Sequence, residues 1–305
     1  MDQLLLENTP GPTVPLAPAV VAARDAVRAA SATFLGIDDA VLERPWQWRG
    51  DPVGEADVRY GIYRGFELLE TAAVDAGRRL DEAGVTRAPA ARIVGPATAA
   101  RWDLHGALAP LGDAELDRDP GGGEWTLRQT LAHMINSQRA YGSFTAWWLA
   151  RADAPDFPPQ VPDGVAPDFP DDEAEGQGSL DDIRARLDAV VDLAAGRLGG
   201  LGEEALAARA RWSGFAVDVG FRLGRWSSHM REHTIQVDKT LAMLGRAPTE
   251  VERLVRLVNG AYGRLEAVVF ALPPADVESS GAGAAIDRAG AELESLAEEV
   301  AAAAR

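Results

Sequence analysis

VGFRLGRWSSHMREHTIQVDKTLAMLG, residues 219–245, decides how this chain is read. Its apolar positions recur at three and four: Trp226, Met230, Val237, Leu241 and Leu244 fall on one side, and His229 and His233 share it. That period is helical, and Gly245 stands where a glycine commonly follows a helix C-terminus. The spacing predicts a helix over 216–244 whose inward face carries two imidazoles one turn apart. With four histidines in 305 residues, the chance that some pair falls four apart is roughly 4 in 100. Side chains at i and i+4 lie on one face, so both rings can converge on a single ion.

The same three-four period runs through the rest of the chain. It predicts further helices over 17–34, 55–82, 92–111, 126–151, 180–199, 250–271 and 283–304. Gly84 and Gly199-Gly200 punctuate their ends, strand signals are scarce, and the fold class is all-α. Helix 126–151 carries the stripe Thr130, His133, Ser137, Tyr141, Phe144 and Trp148, flanked by Leu127, Leu131 and Met134. A stripe that mixes hydroxyls, an imidazole and aromatic rings suits a cavity lining, because a dry core would leave those polar groups without partners. His133 is therefore a third inward imidazole. The competing reading is a set of core histidines satisfied by neighbours. Three neutral nitrogens around an ion leave one or two coordination positions open, the layout of a catalytic site. His105 has no partner at ligand spacing and reads as structural.

Composition narrows the function classes. The net charge of −17 and the lack of a basic stripe argue against nucleic acid as partner. Cysteine is absent, so histidine and carboxylate remain as metal ligands and no cysteine nucleophile exists. The opening MDQLLLENTPGPTVP lacks a basic n-region and reads as something other than a signal peptide. No run approaches ~20 apolar residues, so no membrane span is expected and the location reads as cytoplasmic. HMREH at 229–233 also spells the inverted zinc-protease motif, with Glu232 as base, but that motif belongs to a mixed α+β fold with a distant carboxylate ligand.

Two further features stand out. Residues 153–178 are rich in Pro, Gly and acid and repeat APDFP at 154–158 and 166–170; they read as a solvated connection, with Phe157 and Phe169 keeping a covering role open. Residues 58–84 align without gaps to 219–245 at an offset of 161, and Leu68 and Ala72 stand where His229 and His233 would be. This suggests a degenerate, metal-free copy built from the ends of the chain.

EWTLRQTLAHMINSQRAY (124–141) is similar to the Trp-Thr…Leu-x-His segment of the DinB/YfiT superfamily, and RWSSHMREHTIQVDKTLAMLG (225–245) to its closing H-x-x-x-H helix. The resemblance spans about 92–245. It implies an up-down-down-up four-helix bundle, expected over 89–248; outside it lie residues 1–88, read as an N-terminal helical segment and possible degenerate half-repeat, and 249–305, read as C-terminal helices packed on that segment. It also implies a divalent metal, zinc first with nickel or iron as substitutes, held by His133, His229 and His233. The activity implied is that of a thiol S-transferase or isomerase joining a small-molecule thiol such as mycothiol to a small electrophile, in a monomer or homodimer. Coordination lowers a thiol's pKa from ~8.5 into the neutral range, and that of water to about 7, so a hydrolase is the alternative. A non-catalytic metal- or ligand-binding stress protein is the other. Arg225, Tyr141, Trp226 and Gln236 are the candidate substrate-binding residues, with Arg231 and Glu232 nearby. The sequence assigns no catalytic acid or base.

Overall fold

The computed structural model describes residues 13–47, 56–165 and 169–305; the expectation for the first residues of the chain and part of the second APDFP repeat lie outside them. Eight long helices form the body: α1 (Pro18–Leu35), α2 (Val58–Glu82), α3 (Pro89–Leu108), α4 (Leu127–Leu149), α5 (Leu180–Leu198), α6 (Val219–Met243), α7 (Glu250–Val269) and α8 (Ala282–Ala304). Their starts are written in the sequence. Thr126 with Gln129, Ser179 with Asp182 and Thr249 with Glu252 make reciprocal capping boxes at α4, α5 and α7, each satisfying two amide groups that lack a helical partner. Asp57 and Asp218 cap α2 and α6 through a single carboxylate.

Among the described residues, two short antiparallel strand pairs are the exception to an otherwise helical fold. They pair β1 (Pro45–Trp46) with β2 (Ala56–Asp57), and β3 (Arg209–Trp212) with β4 (Phe215–Asp218). The second hairpin takes the residues expected to begin the helix at 216, so α6 starts at Val219. Ser213 and Gly214 turn it with φ of 47° and 85°, and Gly214 accepts that left-handed backbone without strain. None of the described helices is long and apolar enough to cross a membrane.

The helices close into two rings of four. In the first, α3 packs on α6, α6 on α4, α4 on α5, and α5 returns to α3. In the second, α1 packs on α8, α8 on α2, α2 on α7, and α7 returns to α1. The rings meet along α3 and α7, where small residues allow close approach. A Cβ on Gly106 would lie 2.7 Å from the Cα of Arg256, and one on Gly263 would lie 2.8 Å from the Cβ of Trp102. The edge of the Trp102 ring meets the Tyr262 ring at 4.5 Å across the same seam.

The offset of 161 has a structural counterpart. It relates α2 to α6, each of 25 residues after a hairpin and an Asp cap, and α3 to α7, each of 20 residues. Helices α4 and α8, of 23 residues each, correspond at a shorter offset of 155, from Leu127 to Ala282. Two similar halves, 18–149 and 180–304, therefore follow one another in sequence. Each half gives its first two long helices to one ring and its last two to the other.

Where the halves cross, a charged cluster is buried. Arg24 on α1 donates to both oxygens of Glu266 on α7, at 2.9 and 2.7 Å, and to Asp192 on α5 at 2.6 and 2.9 Å. Arg101 on α3 bridges the same two carboxylates, at 2.6 Å to Glu266 and 2.7 Å to Asp192. The hydroxyl of Thr98 and the indole N–H of Trp102 complete the shell of Glu266 at 2.5 and 3.1 Å. Buried charges persist only when matched in this way.

Candidate metal centre

Helix α4 contributes His133 and helix α6 contributes His229 and His233, and the contact between these helices brings the three rings together. The Nε2 atoms of His229 and His233 are 3.0 Å apart. The His133 ring lies 5.4 Å from the ring of His229 and 4.9 Å from that of His233. One nitrogen from each lies within 4.8 Å of the others. His229 is buried while His133 and His233 are half-buried, so the cluster sits at the mouth of the bundle and not in its centre.

The outer ring nitrogens decide what the inner ones can do. Nδ1 of His233 lies 2.7 Å from Oε1 of Gln236. An amide oxygen only accepts, so Nδ1 carries the hydrogen and Nε2 presents its lone pair. Nδ1 of His133 faces Asp172 at 3.6 Å, and its Nε2 is 3.4 Å from the hydroxyl of Ser137. Burial pushes the pKa of His229 down to about 3, with the neighbouring His233 and His133 adding to the shift. Burial lowers the pKa of His233 as well, against its hydrogen bond to Gln236. Both imidazoles are therefore neutral at pH 7, the state a metal requires.

This donor set fits a divalent ion. The two Nε2 atoms, 3.0 Å apart, are closer than two zinc–nitrogen bonds of about 2.0–2.1 Å laid end to end, so one ion can lie between them. Imidazole donors suit zinc, nickel and iron alike. Nδ1 of His229 is buried without a hydrogen-bond partner among the described residues. That one nitrogen lacks the hydrogen bond that usually satisfies a core histidine. His105 is the contrast: its Nε2 lies 2.8 Å from Asp188 deep between the rings, as expected for a structural histidine.

Aromatic rings wall the mouth on two sides. Trp125, just before α4, packs its ring edge-on to His133 at 5.1 Å and stacks beside His233 at 6.5 Å. On the other side Tyr141 lies 5.1 Å from the His229 ring and 4.8 Å from Trp212, which the hairpin β3–β4 delivers. Phe221 packs edge-on against Trp212 at 6.0 Å and is itself exposed. Arg225 lies over Trp212 at 5.3 Å, and its two Nη atoms grip Glu232 at 2.8 and 3.0 Å. Arg225 holds the Glu232 carboxyl below its ordinary range, so Glu232 is the partner of an arginine and not a free base beside the histidines.

The sequence-based candidates separate accordingly. Tyr141 and Arg225 stand at the mouth. Gln236 reaches the back of His233 and acts on the ligand's orientation. Trp226 is 1 % exposed and belongs to the core cluster that holds Leu223, Met230 and Val237. Trp125, Trp212 and Asp172 were not among the candidates, although Trp125 lies within the motif that carries the resemblance. Asp172 comes from the acidic connection, which is not a free solvated strand. Phe157 packs on Trp148 at 4.8 Å under Arg209, and Phe169 stacks on Phe144 at 5.8 Å. Asn136 then binds Asp172 at 2.6 Å and Arg139 binds Glu175 at 2.7 Å, fastening the short helix Asp172–Glu175 beside the site.

Among the described residues, the second ring has no counterpart of the centre. Leu68 and Ala72 of α2 replace the paired histidines, and Arg288, the seventh residue of α8 as His133 is of α4, replaces the third. Arg288 lies 3.8 Å from Asp75, so a cation of the protein's own stands near that position.

Residues 97–237 match the family model of the DinB superfamily, a span that runs from α3 to the last turns of α6 and contains all three histidines. No curated protein and no solved structure matches the chain.

Proposed function

We propose that this chain, which belongs to the DinB superfamily through residues 97–237, is a metal-dependent enzyme that joins a low-molecular-weight thiol to a small electrophile, or isomerises the electrophile through that thiol. His133, His229 and His233 would hold the divalent ion, with zinc the first expectation. The ion's contribution is to stabilise the anionic form of a bound thiol or water at neutral pH. The observation that carries the reading is the set of three converging imidazoles, at least two of them neutral, at an open mouth walled by Trp125, Tyr141 and Trp212. Cysteine is absent from the chain, so the sulfur nucleophile must arrive with a cosubstrate. Such thiols stay reduced in the cytoplasm, which is where the reaction is placed.

The residues around the cluster have separable roles. Gln236 fixes the tautomer of His233, and Asp172 faces the outer nitrogen of His133. Trp125 and Trp212 offer flat apolar faces to a bound molecule beside the histidines. Arg225, already neutralised by Glu232, holds the Tyr141 side of the mouth in place.

Hydrolysis is the second reading, and one feature favours the thiol over it. The carboxylate nearest the paired histidines in sequence, Glu232, is engaged by Arg225 at both oxygens, and Asp172 accepts from Asn136. Metal-bound water, which starts from a far higher pKa than a thiol, reacts best with a group beside it to take its proton. A thiol with its pKa lowered into the neutral range ionises without one. The test is turnover of a reactive electrophile by zinc- or nickel-loaded protein with mycothiol, glutathione or no thiol. Product formed only with thiol is expected, carrying either a new carbon–sulfur bond or an isomerised double bond with the thiol released unchanged. Equal turnover without thiol would assign the site to hydrolysis, and none with any thiol would leave a metal-binding protein.

A further inference from the structure

Away from the histidines, a cleft of about 960 Å³ opens between α1 and α5, floored by the end of α3 and by α7. Arg28 and Ser31 line it from α1, Arg184 and Asp188 from α5, and Asn259 from α7. Asp188 has no charge to spare. It accepts from Arg28 at 2.8 Å and from Nε2 of His105 at 2.8 Å, and Arg101 lies 3.4 Å away. These neighbours hold its carboxyl far below the usual range in spite of burial.

Arg184 is the unbalanced group. Its side chain is 17 % exposed. Nε donates to Nδ1 of His105 at 3.3 Å, and that ring in turn gives its Nε2 hydrogen to Asp188. This relay fixes the plane of the guanidinium and aims its two Nη groups at the cleft. The carboxylate they meet is Asp181, at 3.5 Å and 91 % exposed, a weak solvent-side partner. Burial lowers the pKa of Arg184, and the like charge of Arg28 lowers it further, against the pull of Asp181 and Asp188. Arg28 is likewise paired outward to Asp25 at 3.3 Å, which is 74 % exposed. Ser31 Oγ accepts from the buried amide of Asn259 at 2.8 Å, so its hydroxyl hydrogen remains for another acceptor.

We propose that this cleft is a second ligand site, separate from the histidine centre, which takes the oxyanion end of a small molecule between Arg28 and Arg184. A phosphate or carboxylate group accepts from two guanidinium forks at once, and such charge-assisted pairs are the strong ones. The ligand displaces the two exposed aspartates, whose carboxylates return to water at little cost. The volume leaves room for the body of a small molecule beyond the anionic end, since ligand sites of ~300–1,000 Å³ are usual.

The probes are inorganic phosphate and malonate, with chloride at matched ionic strength as control, read as ligand-induced melting shift and by titration calorimetry on the full chain. Either oxyanion should raise the melting temperature saturably, and the more effective one identifies the ligand's end group. His133→Ala should keep the shift, Arg184→Gln should abolish it, and Arg28→Gln should weaken binding about tenfold. Arg28 is 41 % exposed, so its variant remains a test if Arg184→Gln fails to fold. No saturable heat from either oxyanion, an equal shift from chloride, or a shift that survives both arginine substitutions or disappears in His133→Ala would overturn the site.

Discussion

Replacing Glu266 by glutamine should be among the most damaging single changes to the folded chain that leave its shape almost untouched. The carboxylate is fully buried and accepts two hydrogen bonds from Arg24 and one each from Arg101, Thr98 and Trp102. Glutamine keeps the volume but removes the negative charge, and it turns an N–H₂ group toward donors. Arg24 and Arg101 are then left with Asp192 as their shared carboxylate. Removing one partner of a buried ion pair costs about 3–5 kcal/mol. A second route gives a similar size. Burial raises the pKa of Glu266, but Arg101 and Arg24 overcome it and hold it at about 2, against an ordinary 4.5. That difference corresponds to about 3 kcal/mol. The sign follows from linkage: a carboxylate depressed in the folded state adds stability that is full above pH 4.5 and fades as pH falls toward 2. Urea unfolding of wild type and Glu266→Gln at pH 7, 5 and 3 measures it. The gap should be about 3 kcal/mol at pH 7 and should narrow at pH 3. A gap under about 1 kcal/mol at pH 7, or one that does not change with pH, would refute the reasoning.

Two other outcomes follow from the same geometry. Gln236→Ala frees the outer nitrogen of His233, so metal affinity should fall about 10- to 100-fold with the fold intact, read by competition with a chromophoric chelator. Gly263→Ala places a methyl group 2.8 Å from the Cβ of Trp102 and 2.9 Å from the Cα of Ala99, so the seam between α3 and α7 must open; a loss of about 1–3 kcal/mol in denaturant unfolding is expected.

Local signals carried the helices a long way. Capping boxes such as Thr126 with Gln129 act within one turn, and the i, i+4 spacing of His229 and His233 needs nothing beyond a helix to set their shared face. The alignment of 58–84 with 219–245 likewise reflects two helices of equal length behind equal caps. Features that depend on distant pairing were not legible. Trp226 and His229 are three apart on one face, and which of them reaches the mouth is set by how α6 rotates against α4, not by the period. Trp212 arrives on a hairpin of four-residue strands, too short for an alternating pattern to register. Asp172 reaches His133 through an acidic segment whose composition speaks only of solvent, because its anchors, Phe157 and Phe169, find their partners on α4. The buried ion cluster joins residues as far apart as Arg24 and Glu266, and the exchange of helices between the two rings has no local signature.

Metal analysis of the purified chain, wild type beside His133→Ala, tests the central claim most directly. About one divalent ion per chain is expected in the wild type, since the second ring carries Leu68, Ala72 and Arg288 at the matching positions, with near-complete loss in a folded His133→Ala. Equal metal content in the two proteins, or none in a wild type supplied with zinc, nickel and iron, would contradict it.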